Sequence, residues 1–254
     1  MVTSRQSPND LLAALPSADF DLLRPHLRAV ELNFGQMLIE AGAPVRQVIF
    51  PHGGIVSTLA RLRRGETIEV GVIGRDGVVG GSAALYDAAS PSAAMVRFPG
   101  TASAIDAGHF RTIVELSPAL RDALMRDLSR RVTKAEQVAA CNAAHSAEAR
   151  LCRRLLQSRD MAGSDSMLLS QDLMAQMLGV KRNTISLVAH ALQQQGLIRY
   201  SRGRMAIIDV DGLVRRSCEC HSADRIPAAP MALPHASALP WPASEVGLVQ
   251  RSPS

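Results

Sequence analysis

Aromatic residues are scarce in this chain: one Trp, two Tyr and five Phe amount to 3% of 254 residues, although 47% are hydrophobic. That shortage excludes a binding surface built on aromatic rings. No apolar run approaches the roughly 18 uninterrupted residues that span a bilayer, and the opening MVTSRQSPND has no apolar secretory core. A soluble cytoplasmic protein with no membrane partner is expected. Cysteine occurs only at Cys141, Cys152, Cys218 and Cys220, too unevenly for a disulfide framework, so reduced thiols are expected. There is no G-x-S-x-G, H-E-x-x-H or phosphate-binding glycine loop. Glu66 and Glu69 fall on an expected strand beside a turn, where solvent exposure is the plain account. No enzyme activity is expected.

What is present is unevenly placed. Residues 1–149 hold 15 Lys/Arg and 15 Asp/Glu, whereas residues 150–204 hold nine and three. A cationic excess confined to one stretch points to a polyanion partner for the second half of the chain. Glycine and proline are segregated too: 12 of 18 glycines lie within 35–108, no proline occurs from 119 to 226, and six crowd into the last 28 residues. The first region should turn often, the second should be helical and the tail should be loose, with Trp241 as a docking point within it.

Short helices around Leu11, Leu12, Leu15, Leu22, Leu23 and Leu27 should precede the first strands. From Val30 onward, short runs rich in Val, Ile and Phe are broken by glycine at strand-plus-turn intervals, with Arg64-Gly65 and Asp76-Gly77 as tight turns. This predicts an antiparallel barrel or jelly roll over about residues 28–105. Starting near Pro118, an amphipathic helix of about 25 residues carries a seam of Leu120, Leu124, Leu128 and Val132, continued by Ala135 and Ala139. That seam could cover the barrel. Its length favours a parallel homodimer, with the alanines letting two helices approach closely.

Beyond Ser146, Leu151, Leu155 and Leu156 turn inward and Arg150, Arg153 and Arg154 largely outward. Ser170 caps a helix that Gly179 ends; another runs from about Arg182 to Gln194 and Gly196 stops it; LIRYSRGRMAII alternates around a turn at Ser201, Arg202 and Gly203. Helix, tight turn, helix and small hairpin make a winged helix-turn-helix. The early residues of its second helix, Lys181, Arg182, Asn183 and Ser186, with His190 one turn on, are the candidates for reading base edges of double-stranded DNA. Ser170, Thr184, Arg199, Arg202 and Arg204 are candidates for phosphate contacts.

The segment LLSQDLMAQMLGVKRNTISLVAHALQQQGLIRYSRGRMAIID closely resembles the DNA-binding domain of the Crp/Fnr family of bacterial transcription regulators, and the resemblance extends over about residues 10–217. It implies an α+β chain: a cyclic-nucleotide-binding-like jelly roll at 10–112, a dimerisation helix and hinge at 113–145, a winged helix-turn-helix at 146–217 and a Pro/Ala/Ser-rich tail at 218–254. It further implies a homodimer on a pseudo-palindromic site, with RNA polymerase as a partner open to it. In the family an Arg-Glu pair and a later Arg read the operator; here Arg182 keeps the first place, while Asn183 and Leu187 replace the others.

The cyclic-nucleotide cassette of such proteins is not kept. Gly81 stands where an acid would hold the ribose, and Ser92 followed by Ala93 where an Arg would grip the phosphate, so cyclic AMP is not expected. Gly80, Gly81, Ser82, Ser92 and Ala93 mark the place where an unknown small-molecule effector would sit, a structural turn being the commoner account of the two glycines. No cofactor is expected: cysteine is absent before 141, where oxygen-sensing relatives place iron-sulfur ligands, and His26, His52 and His109 are isolated in sequence. Cys218, Cys220 and His221 lack the paired spacing of a zinc site and an obvious fourth ligand, so no metal is expected and the tract reads as a structural terminus. A scaffold protein whose basic C-terminal domain recruits another protein stays open as an alternative.

Overall fold

A computed structural model describes residues 7–225 of the chain. Asn9 caps α1 (Asp10–Ala13) by accepting from the Leu12 amide, while its Nδ2 donates to the Pro51 carbonyl at 2.8 Å and the Gly77 carbonyl at 3.1 Å. One buried amide thereby starts a helix and ties it to the barrel. Helix α2 (Ser17–Leu23) and a 3-10 turn at Arg24–His26 lead into the first strand.

Seven strands follow: β1 (Arg28–Leu32), β2 (Met37–Ile39), β3 (Gln47–Pro51), β4 (Ile55–Arg61), β5 (Thr67–Ile73), β6 (Ala93–Phe98) and β7 (Gly100–Asp106). They form two antiparallel sheets, β1-β7-β3 and β2-β6-β4-β5, with Ile49 opposite Ala104 in one and Val56 opposite Val96 in the other. Val48, Phe50, Val56, Val96 and Ala102 are fully buried in the core of the two sheets, and β3 is buried at four successive residues, Val48 to Pro51, so it is covered on both faces. The turn before β5 contains Gly65 at φ 87°, a conformation that suits glycine. The short helix α3 (Gly81–Leu85) sits between β5 and β6.

Asp106 then caps α4 (Ala107–Leu116), and Ser117 caps α5 (Pro118–Ala144), a single helix of 27 residues with proline in its first turn. It breaks at His145, whose backbone is extended. Ser146 starts α6 (Ala147–Ala162), and Gly163 in the left-handed region ends it. The last unit comprises β8 (Ser166–Leu168), α7 (Gln171–Leu178), α8 (Arg182–Gln194), β9 (Ile198–Ser201), β10 (Arg204–Ile207), α9 (Val210–Arg216) and α10 (Cys220–Arg225). Leu151, Leu155, Met174, Ile185, Leu192 and Leu213 make a second core distinct from that of the barrel.

Four features depart from the reading of the sequence. Leu120 and Leu124 are buried in the barrel's own core, so they serve their own subunit rather than a partner. Arg150, Arg153 and Arg154 are buried, not outward, because α6 packs beside the barrel. Glu69 is buried as well, at 5% exposure, and compensates Arg154, whereas Arg150 Nη1 donates to Asn142 Oδ1 at 2.6 Å. Its carboxylate binds Arg154 from α6, Arg97 at 3.5 Å and the Ser57 hydroxyl. A buried acid between two cations is far cheaper than either alone. Burial still pulls the Arg97 guanidinium down to about 10, which leaves it charged at neutral pH. Finally, Cys218 and Cys220 do not open a loose tail: they are buried where α10 packs on α5 and α6. The remainder of the expected tail, with Trp241, lies outside the described residues.

Candidate nucleic-acid interface

The interface is assembled by local capping. Ser170 Oγ accepts from the Leu173 amide at 3.1 Å to start α7, and Gly179 at φ 64° ends it. Two residues later Lys181 is the N-cap of α8. Ile185, Ala189 and Leu192 anchor one face of α8 in the core. The opposite face is thereby fixed in solvent, and it carries Arg182, Asn183, Ser186 and His190, all exposed, with Lys181 exposed just ahead of them. Thr184 is half-buried at the flank.

Leu187 also projects from this face, at 74% exposure. A large apolar side chain left that open on an otherwise polar surface is a functional candidate that charge-based reasoning passes over; the departure from the resembled pattern at this position was its only signal. Arg182 is not free in solution: its Nη1 lies 3.3 Å from Asp172 Oδ2, and its Nε donates to Gln171 Oε1 at 3.4 Å. Gln171 in turn donates to Ser186 Oγ at 3.4 Å. An acid on α7 thus steers Arg182 from outside the recognition helix, where Asn183 offers no charge.

The wing is the sheet β8-β10-β9, with Met205 opposite both Met167 and Tyr200. Its tip is Arg202-Gly203, with φ of 48° and 77° respectively, the two positive values that a tight hairpin turn needs. Arg199, Arg202 and Arg204 are exposed around this tip, within the same unit as the α8 face. With Arg150, Arg153 and Arg154 withdrawn into the interior, five exposed cations of this half, Lys181, Arg182, Arg199, Arg202 and Arg204, lie at the start of α8 and on the wing, and Arg215 and Arg216 lie on α9.

The comparisons agree with this geometry. Residues 149–216 match the model of the Crp-like helix-turn-helix domain. The fold of the chain is found in a protein of the Crp/Fnr family from Eubacterium rectale, at 17% identity and a TM-score of 0.69, covering 82% of this chain and 98% of the other. It is also found in a CRP-family regulator of Thermus thermophilus (18%, TM-score 0.64, 74% and 96%). The c-di-GMP responsive global regulator of Xanthomonas campestris is equally similar (16%, TM-score 0.64, 76% and 99%). No curated protein matches the sequence. The fold is thus a jelly roll joined by one long helix to a Crp-like helix-turn-helix domain, and no helix among the described residues is long and apolar enough to cross a membrane.

At the place where relatives of this type keep a nucleotide cassette, Gly80 has φ 80°, and a Cβ there would lie 2.9 Å from Val45 and 3.0 Å from Ile39. Gly81 is buried, with Val78 at 3.1 Å and Leu124 at 3.5 Å from where its Cβ would be. Ser82 is exposed, Ser92 half-buried and Ala93 buried. Glycine is thus required at Gly80 by its backbone conformation and close packing, while at Gly81, the first residue of α3, a side chain would be tight against Val78. His26 and His109, distant in sequence, stack with centroids 4.5 Å apart, and His52 lies 2.8 Å from Ser103 Oγ, with burial lowering its pKa.

Proposed function

We propose that the chain is a sequence-specific transcription regulator acting as a homodimer on a pseudo-palindromic duplex. The observation that carries the reading is the exposed row Arg182, Asn183, Ser186 and His190 at the start of α8, set in one small unit with an arginine-tipped wing. Arg presents paired donors to guanine O6 and N7, and Asn can pair with adenine. Leu187 adds an apolar surface suited to a thymine methyl group. The wing arginines suit phosphates, which position a domain without specifying sequence.

The dimer follows from a different row on α5. Met125, Leu128, Val132, Ala135 and Ala139 are all exposed, at alternating steps of three and four residues. That is the spacing of a coiled-coil seam. Two chains paired along it would place recognition helices in successive major grooves, about 34 Å apart. An effector in the barrel would act by changing the angle at His145; cyclic AMP is not the molecule indicated by Gly81 and Ser92.

Fluorescence anisotropy over a salt series separates the roles. Arg182→Ala should cost about 1–3 kcal/mol on the preferred duplex and flatten preference at one symmetric position. Arg202→Ala or Arg204→Ala should weaken preferred and random duplexes alike, lowering the slope of log affinity against log salt by about 0.9 for each phosphate no longer neutralised. An Arg182 variant with full discrimination, beside a wing variant without it, would move base reading to the wing. Leu187→Ala should reduce preference for a thymine-containing step while leaving the salt slope unchanged; an altered slope would show that Leu187 acts only through domain placement.

A further inference from the structure

Four side chains that the DNA-binding reading leaves unused converge at the break between α5 and α6. Cys141 on the last turn of α5, His145 at its end, Cys218 after α9 and Cys220 at the start of α10 each offer one ligand atom, and these atoms all lie within 4.8 Å of one another. Cys141 Sγ is 3.6 Å from Cys218 Sγ, and Cys220 Sγ is 3.8 Å from His145 Nδ1. Metal–sulfur bonds of about 2.3 Å in a tetrahedron set neighbouring sulfurs about 3.8 Å apart, and a nitrogen at about 2.0–2.1 Å shortens the sulfur–nitrogen edge to about 3.6 Å. Both distances match such edges. A 4Fe–4S cluster would put each ligand on a different iron and a 2Fe–2S cluster would split the four between two irons, and either needs wider spacing than four atoms all within 4.8 Å.

The surroundings support the same assignment. His145 Nε2 lies 3.0 Å from Glu219 Oε1; with Nε2–H donating to that carboxylate, the Nδ1 lone pair faces the thiols. A carboxylate behind a histidine is how metal sites fix the ligating nitrogen. Gln137 Nε2 lies 3.0 Å from Cys220 Sγ, and the buried Arg153 exerts its positive charge on both Cys141 and Cys218. His221 is buried nearby in sequence but does not belong to the group; the ligands missing from its own short tract come from α5.

We propose that Cys141, His145, Cys218 and Cys220 bind one soft divalent cation, zinc(II), in a tetrahedral site. Three thiols lose their protons to solvent as the metal enters, and the histidine binds as neutral imidazole. Three thiolates and a divalent cation leave one negative charge, which Arg153 is placed to offset. The ion would clamp the end of α5 to the segment joining α9 and α10, and so fix the angle at His145 between the exposed α5 seam and the DNA-binding domain.

The test uses the full chain and does not depend on DNA binding. Plasma mass spectrometry should find one zinc per chain, and metal-stripped protein titrated with cobalt(II) should give tetrahedral ligand-field bands with thiolate charge transfer. The Cys218→Ser/Cys220→Ser double variant should lose both signals. Glu219→Gln alters an exposed carboxylate and so should keep the native circular dichroism spectrum while weakening zinc affinity about 10- to 100-fold. Zinc far below one per chain with cobalt remaining octahedral, or iron with acid-labile sulfide in its place, would overturn the proposal. Unchanged affinity in Glu219→Gln would overturn the orientation assigned to His145.

Discussion

Replacing Leu128 and Val132 together by Asp should leave the chain folded and convert it from dimer to monomer at micromolar concentration in sedimentation velocity. Both side chains project from α5 into solvent, at 39% and 49% exposure, so nothing in their own subunit depends on them. In a paired seam, however, four carboxylates would meet at closely spaced positions, and burial of even one would be unfavourable. Loss of pairing removes the second half-site from every binding event, so the monomer should lose preference for an inverted repeat altogether. The same change at Leu120 and Leu124 should instead unfold the barrel, because those residues lie in its core. A double variant that remains dimeric would show that the subunits meet elsewhere.

The second large effect is expected at Glu69. Its side chain is 1% exposed and holds Arg97 of the barrel and Arg154 of α6 at once, with Ser57 as a further donor. Glu69→Ala would leave two guanidinium groups without their carboxylate, and removing one partner of a buried ion pair costs about 3–5 kcal/mol. Urea unfolding should show the midpoint fall by that equivalent. Arg154→Leu keeps the Glu69–Arg97 pair and should cost less. A Glu69→Ala protein within about 1 kcal/mol of the parent would mean that water replaces the carboxylate and that the ion pairs do not hold α6 to the barrel.

The elements most legible in the sequence are those fixed by neighbours along the chain. Ser117, Ser146 and Ser170 cap helices by accepting from an amide three residues on, and Gly163, Gly179 and Gly196 follow helix ends with positive φ. Strands β3 to β6 follow from short runs rich in Val, Ile and Phe between glycine turns, whereas β7, which has Ile105 as its one large apolar residue, does not. The polar face of α8 was readable because Ile185, Ala189 and Leu192 leave no freedom about which side faces the core. Features fixed by distant partners were not readable. Arg150, Arg153 and Arg154 look like a solvated face until β5 brings Glu69 to Arg154 and the end of α5 brings Asn142 to Arg150, and the Leu120-to-Val132 row looks continuous until the barrel covers its first half. Cys141 in the last turn of α5 and His145 as its C-cap stand only four residues apart, yet their partners enter only after the whole helix-turn-helix unit has been crossed.

The most direct test of the account is selection of duplexes bound by the full-length chain from a random pool, followed by anisotropy on the enriched sequence. The expected product is an inverted repeat with half-site centres about one helical turn, roughly 10 base pairs, apart, bound by two chains with affinity that falls steeply with salt. A pool that enriches no sequence, or enriches an asymmetric single site bound by one chain, would contradict it.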